Sequence, residues 1–277
     1  MLPGSFFVCM EFAPTLIGLL VGIVVGATST GGGALLTPAL VLVARVPVAT
    51  AIASDVLIAA GMKLFGGGVY ALRGEVHWQT VGRLAGGSVV GAVAGIWLLN
   101  RIPIEALETY LARALGVVLV IAGAALVLRL TVGAHRHPRR APAWPVTVLF
   151  GLVTGLLVSM TSIGSGSILL CVLALYYPLS ATTIVGTDLV HALVVSSVAT
   201  VGHSMAGRVD VVLAATVLLG AVPGVLIGAR MATAVPERAL RAALAAVLIA
   251  IGLQMAIFAT PSAHAEPAAP VNLEGSI

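Results

Sequence analysis

Residues 18–103 and 151–236 carry the same sparse signature. At a constant displacement of 133, Gly18, Gly22, Ser29, Gly31 and Gly33 fall on Gly151, Gly155, Ser162, Gly164 and Gly166. Without a gap, Asp55 then falls on Asp188, Gly74 on Gly207, Gly91 and Gly95 on Gly224 and Gly228, and Pro103 on Pro236. Matches among apolar residues mean little in a chain this rich in them. The sequence has only three aspartates, however, and two of them coincide. A duplicated set of apolar segments interrupted by glycine is the usual architecture of a secondary transporter.

The duplicated segments belong in lipid. Of 277 residues, 60% are hydrophobic and 9% charged, where a soluble domain carries about a quarter charged residues. Too few polar side chains exist to cover a water-facing surface. Strand-like alternation of period two is absent, which argues against an outer-membrane barrel. Cys9 and Cys171 lie in or beside apolar stretches and support neither a disulfide framework nor a metal site. The opening MLPGSFFVCMEFAP has no basic region and no small-residue cleavage site, so it reads as a lead into the first helix. Residues 261–277, rich in Pro, Ala and Glu, read as a disordered tail.

Apolar runs long enough to span occur at 13–43, 47–70, 79–99, 105–130, 145–175, 180–204, 211–232 and 237–259. The expectation is an all-α polytopic membrane protein with about eight transmembrane segments in two four-segment repeats. Its parts are a first repeat over 1–130, a basic linker over 131–145, a second repeat over 146–260 and the tail. Runs 13–43 and 145–175 are about 30 residues long where roughly 20 suffice, and each holds a matched glycine cluster. Each is expected to be a broken helix or a helix with a re-entrant loop. The linker holds Arg136, Arg139 and Arg140 with Arg129 just before it, and reads as cytoplasmic. Four crossings before it would put Arg73, Arg83 and Arg208 inside, in agreement, but Arg45, Arg101, Arg238 and Arg241 outside. If the broken segments do not fully cross, each repeat has an odd count and the halves are inverted. The basic linker is an orientation signal rather than a nucleic-acid patch, and His135 and His137 lack partners that would make a metal site.

Two constellations carry chemistry. The first is Thr28-Ser29-Thr30-Gly31-Gly32-Gly33 with its copy Thr161-Ser162-Ile163-Gly164-Ser165-Gly166-Ser167. Glycine lets successive amide N–H groups turn into one concavity, and a helix starting after the break favours negative charge. Ser29, Thr30, Gly31, Gly32, Gly33, Ser162, Gly164, Ser165 and Gly166 are therefore candidates to cradle a small oxyanion; the plainer reading is close helix packing. The second is the intramembrane ionisable set. Asp55 and Asp188 occupy matched positions, Lys63 is the only lysine and shares roughly one helix face with Asp55, and His191 follows Asp188 by one turn. Lys63 is a candidate anion contact. Asp55, Asp188 and His191 are candidates for a coupling ion, and an Asp188–His191 hydrogen bond could carry a proton. The plainer reading makes Ser54-Asp55 and Thr187-Asp188 helix N-caps. His203, ending its segment, is expected at the interface. The glycines recurring every fourth residue at 87–95 and 220–228 are assigned to packing.

At residues 22–38 (GIVVGATSTGGGALLTP) with 155–168 (GLLVSMTSIGSGSI), and 48–55 (VATAIASD) with 180–188 (SATTIVGTD), the sequence resembles the TauE/SafE sulfite exporter family. The Gly74-Glu75-Val76 and Gly207-Arg208-Val209 turns complete a likeness spanning about 18–259. Cys171 stands where the first repeat and the family keep a proline (Pro38 here). The resemblance implies a carrier of sulfite, sulfonates or related sulfur-containing anions, driven by a proton or sodium gradient, in the bacterial cytoplasmic membrane. No cofactor is implied, and a homodimer is left open. The rivals are an anion channel and a transporter of another small organic acid. An intramembrane enzyme would need a converging nucleophile and base or a metal cluster; no HExxH occurs, and symmetric aspartates suit a central path better than a one-sided catalytic site.

Overall fold

The computed structural model describes residues 4–28, 32–132, 141–231 and 237–258. Their regular structure is entirely helical: α1 (Gly4–Thr28), α2 (Gly33–Leu42), α3 (Val48–Leu72), α4 (Trp78–Leu99), α5 (Ile104–Val132), α6 (Trp144–Thr161), α7 (Ile168–Tyr176), α8 (Ala181–Met205), α9 (Val211–Met231) and α10 (Glu237–Phe258). Adding 133 to the bounds of α3 gives those of α8, and adding it to the first residues of α4 and α5 gives those of α9 and α10. Most of the linker and the whole 261–277 tail lie outside the described residues, as do Ser29, Thr30 and Gly31.

The excess length of run 145–175 is resolved by a fold-back. Helix α6 stops where Ser162 takes a left-handed conformation at φ 60°, and Gly164 and Gly166 follow with φ 151° and 80°. Helix α7 then returns, because Tyr177 Oη donates to Thr147 Oγ1 at 2.7 Å and ties its end to the first turn of α6. In the first half the corresponding run is divided between α1 and α2.

The packing interlocks the halves. A methyl group on Gly18 would lie 2.2 Å from Val217 O, and one on Gly151 would lie 2.1 Å from Leu84 O, the same pair displaced by 133. Gly87 faces Val148 O at 1.9 Å and Gly220 faces Thr15 O at 1.9 Å; Gly91 faces Leu152 O and Gly224 faces Leu19 O. Helices α1 and α9 therefore run parallel at backbone contact, as do α4 and α6. Small residues allow this approach where lipid supplies no hydrophobic drive between helices. Helices α3 and α8 cross antiparallel: Gly67 meets Val190, whereas Lys63 reaches Ser196.

Side-chain distribution is that of a lipid-solvated bundle. Large apolar residues face outward (Phe65, Leu72, Leu219 and Ile257 are each more than two-thirds exposed), whereas Asp55, Lys63, Asp188, His191 and His203 are buried. Helices α3, α4, α6 and α8, with 106–128 of α5 and 211–228 of α9, are long and apolar enough to cross a membrane by length and composition. Ala13–Val25, Gly33–Leu42 and Ala242–Ile257 are shorter apolar stretches. The chain is a polytopic α-helical membrane protein. His203, near the end of α8, is buried against α6: its Nε2 lies 2.8 Å from Ser159 O, one of the carbonyls that the end of α6 leaves without an intrahelical partner.

Neighbouring glycines on α4 test this packing. A side chain at Gly87 meets the α6 backbone, whereas Gly86 has nothing within 4 Å. Gly87→Leu should destabilise the detergent-solubilised protein by about 2 kcal/mol or more, seen as a lower unfolding midpoint, and Gly86→Leu should leave the midpoint unchanged.

Candidate functional site

Charged groups are costly inside a bilayer, so their placement organises the centre. Asp55 and Asp188 each lie seven residues into their helices, too deep to be N-caps; those positions belong to Pro47 and Ser180. The adjacent hydroxyls serve the opposite half instead. Asp210 N–H donates to Ser54 Oγ at 3.0 Å, and His77 N–H donates to Thr187 Oγ1 at 3.0 Å, one bond being the 133-displaced image of the other.

Lys63 sits where α3 and α8 cross. Its Nζ donates to Ser165 Oγ at 2.9 Å and to Ser196 Oγ at 3.4 Å, and Ser196 is its own counterpart at displacement 133. The ammonium acts on both carboxylates, Asp188 and Asp55. Asp188 in turn accepts the Gly166 N–H at 3.3 Å, just before α7. The Gly166 amide thus already faces a carboxylate, which fits amide groups turned inward by the positive φ of Gly164 and Gly166.

Asp55 has different company. Thr37 of α2 donates its hydroxyl to Oδ2, and the Ser162 hydroxyl faces the same carboxylate. Neither Asp55 Oδ1 nor Ser162 Oγ completes a hydrogen bond, although both are buried. Gly33, at the start of α2, abuts the Ser162 carbonyl, with a Cβ position only 2.3 Å from that oxygen. The second break therefore meets the first residues of α2. Gly32 has ordinary helical backbone and faces the Met62 methyl, so it contributes close packing rather than an unusual conformation.

His191 is turned away from the expected aspartate. Its Nε2 is 3.0 Å from Ser88 Oγ on α4, and its Nδ1 has no hydrogen-bond partner. The structure thus brings together Lys63, Asp55, Asp188, Ser162, Ser165, Gly166 and Gly33, and places His191 beside them toward α4. Sequence reasoning missed Thr37, Ser196 and the capping role of Glu108, whose carboxylate accepts the Val48 and Ala49 N–H groups at the start of α3. Ser196 could have been found from its displacement to Lys63. Thr37 could not, because its counterpart is Leu170. Among the described residues no three His, Cys, Asp or Glu side chains gather to hold a metal.

The profile of the family described as sulfite exporter TauE/SafE matches residues 15–255, and the chain belongs to that family. It is 34% identical over 254 residues to the Bacillus subtilis (strain 168) protein named "Probable membrane transporter protein YjnA", covering 89% of this chain and all of that relative. It is 26% identical over 233 residues to "Probable membrane transporter protein YdhB" of the same organism, covering 83% of this chain and 93% of the relative. No solved structure shows significant similarity to it.

Removing Lys63 leaves Asp55 and Asp188 buried without the cation that acts on both. Lys63→Met should destabilise the protein by about 3 kcal/mol in detergent unfolding, and Lys63→Met with Asp188→Asn should recover most of that loss. A double variant no more stable than the single one would show that charge balance is not what Lys63 provides.

Proposed function

We propose that the protein is an ion-coupled secondary transporter of small sulfur-containing anions, of the sulfite or sulfonate class, in a bacterial cytoplasmic membrane. The observation that carries this reading is the convergence of a helix break on a lone buried ammonium. Lys63, Ser165, Ser162 and the Gly166 amide place hydrogen-bond donors at the crossing of α3 and α8. An oxyanion entering there would take the Ser162 and Ser165 hydroxyls and Lys63, and compete with Asp188 for the Gly166 amide. The family description and the names of the two relatives support transport, and the family description points to sulfite. An anion channel is the alternative; saturable rates and counterflow would separate a carrier from voltage-driven current.

The architecture we infer is two inverted repeats, 1–130 and 146–260, each a broken hairpin followed by three crossing helices. The antiparallel crossing of α3 and α8, and the return of α7 to the start of α6, both support inversion. By sequence position, this puts Arg73, Arg83, Arg129, Arg136, Arg139, Arg140, Arg230, Arg238 and Arg241 on the face of the linker. Arg45, Arg101 and Arg208 fall on the other face. The positive-inside rule then makes the linker face cytoplasmic, without the conflict that a parallel arrangement creates at Arg238 and Arg241. A fluorescent-protein reporter in the linker should be active, and alkaline phosphatase fused after α10 should be active; the reverse pattern would refute the orientation.

Flux of radiolabelled sulfite, sulfate, thiosulfate and taurine into proteoliposomes tests the activity. Saturable uptake of at least one, accelerated by the same anion inside, is the expected result, and uptake of none would remove the sulfur-anion reading. Gly164→Val should abolish that uptake while the protein still inserts. Its φ of 151° is unfavourable for a branched side chain, and its Cβ would sit 3.1 Å from Val158 Cγ2.

A further inference from the structure

The two halves match in sequence at their aspartates but not in what surrounds them. Asp188 accepts the Gly166 N–H, on the side of α7. Asp55 has two hydroxyls beside it: Thr37, which also turns its backbone N–H to the carboxylate, bonds one carboxylate oxygen through its hydroxyl, and the Ser162 hydroxyl faces the carboxylate without bonding it. Its Oδ1 is buried and unpartnered. The residues that break the symmetry are identifiable, since Leu170 stands at the position matching Thr37 and Ser196 at the position matching Lys63.

Charge arithmetic points the same way. Counted at their ordinary charges, the two carboxylic acids and one amine buried at the centre sum to −1. The other ionisable ring on α8 in this core, His191, lies against Ser88 on the side of α4. An anionic substrate would add further negative charge to a centre that already lacks one positive charge, which low dielectric makes costly. One cation beside Asp55 would balance the empty centre and lower the cost of bringing an anion to Lys63.

We propose that Asp55 Oδ1, Thr37 Oγ1 and Ser162 Oγ form a sodium site, and that its occupancy is required for anion binding at Lys63. The lining favours sodium over a proton. A proton needs one acceptor, whereas here an unpartnered carboxylate oxygen and two hydroxyls supply three hard oxygen ligands. Discontinuous helices in membrane carriers coordinate sodium through such unwound segments. The coupling follows without any further moving part: sodium and anion attract each other across Asp55 and Lys63, so each raises the affinity of the other by the same factor.

This inference rests on the carrier reading above, and its test separates the two. Radioactive sodium should bind the purified full-length protein saturably in choline chloride, without any anion substrate. Asp55→Asn should abolish that binding, and the nearly isosteric Thr37→Val should weaken it about tenfold. Anion flux in proteoliposomes should require sodium in the wild type, and Asp55→Asn, with its centre permanently neutral, should exchange anion without sodium. Absence of saturable sodium binding, unchanged binding in Asp55→Asn, or flux driven by a pH gradient and indifferent to sodium would each overturn the site. In the last case the transporter stands; sodium binding at Asp55 with no anion flux would uphold the site and refute the transporter.

Discussion

Everything in this molecule is arranged around the antiparallel crossing of α3 and α8, where Lys63 meets Ser196. A lone ammonium in the interior of a lipid-solvated bundle must be held by acceptors and opposed by negative charge. The two hydroxyls and the two flanking aspartates do both. Because the crossing helices occupy matching positions in the two halves, whatever binds there is contacted by both. The Ser54 hydroxyl, which accepts the Asp210 N–H just before α9, and the closing of the α3–α4 turn onto Thr187 extend the same exchange outward from the centre.

The glycines make that crossing feasible. Parallel packing of α1 on α9 and α4 on α6 puts backbone against backbone, so each half is clasped by helices of the other. Neither half can bury its polar centre alone.

Much of this was legible in the sequence, and the reasons are specific. Duplicated aspartates and glycines stood out because aspartate is rare here, and the excess length of 145–175 announced a break. Which of the two expected forms the break takes, a broken helix or a re-entrant fold-back, could not be read, since the return of α7 brings Tyr177 to Thr147 across 30 residues. The direction of the halves, which we infer from the antiparallel crossing of α3 and α8, was likewise hidden in the sequence. Thr37 left no trace because only one half uses it. The burial of His203 could not be read either, because its partner, the Ser159 carbonyl, is supplied by another helix, α6. The His191 ring was expected on Asp188 by spacing alone, whereas packing of α8 against α4 turns it to Ser88.

The most direct test of the account is to locate an anion. Selenate shares the shape and charge of sulfate and scatters anomalously, so its position in crystals of the protein can be seen without assuming a binding mode. The account predicts one anomalous peak at the α3–α8 crossing, within hydrogen-bond distance of Lys63 Nζ and of the 162–167 backbone or hydroxyls. Peaks confined to the linker or to surface arginines, with the crossing empty, would contradict it.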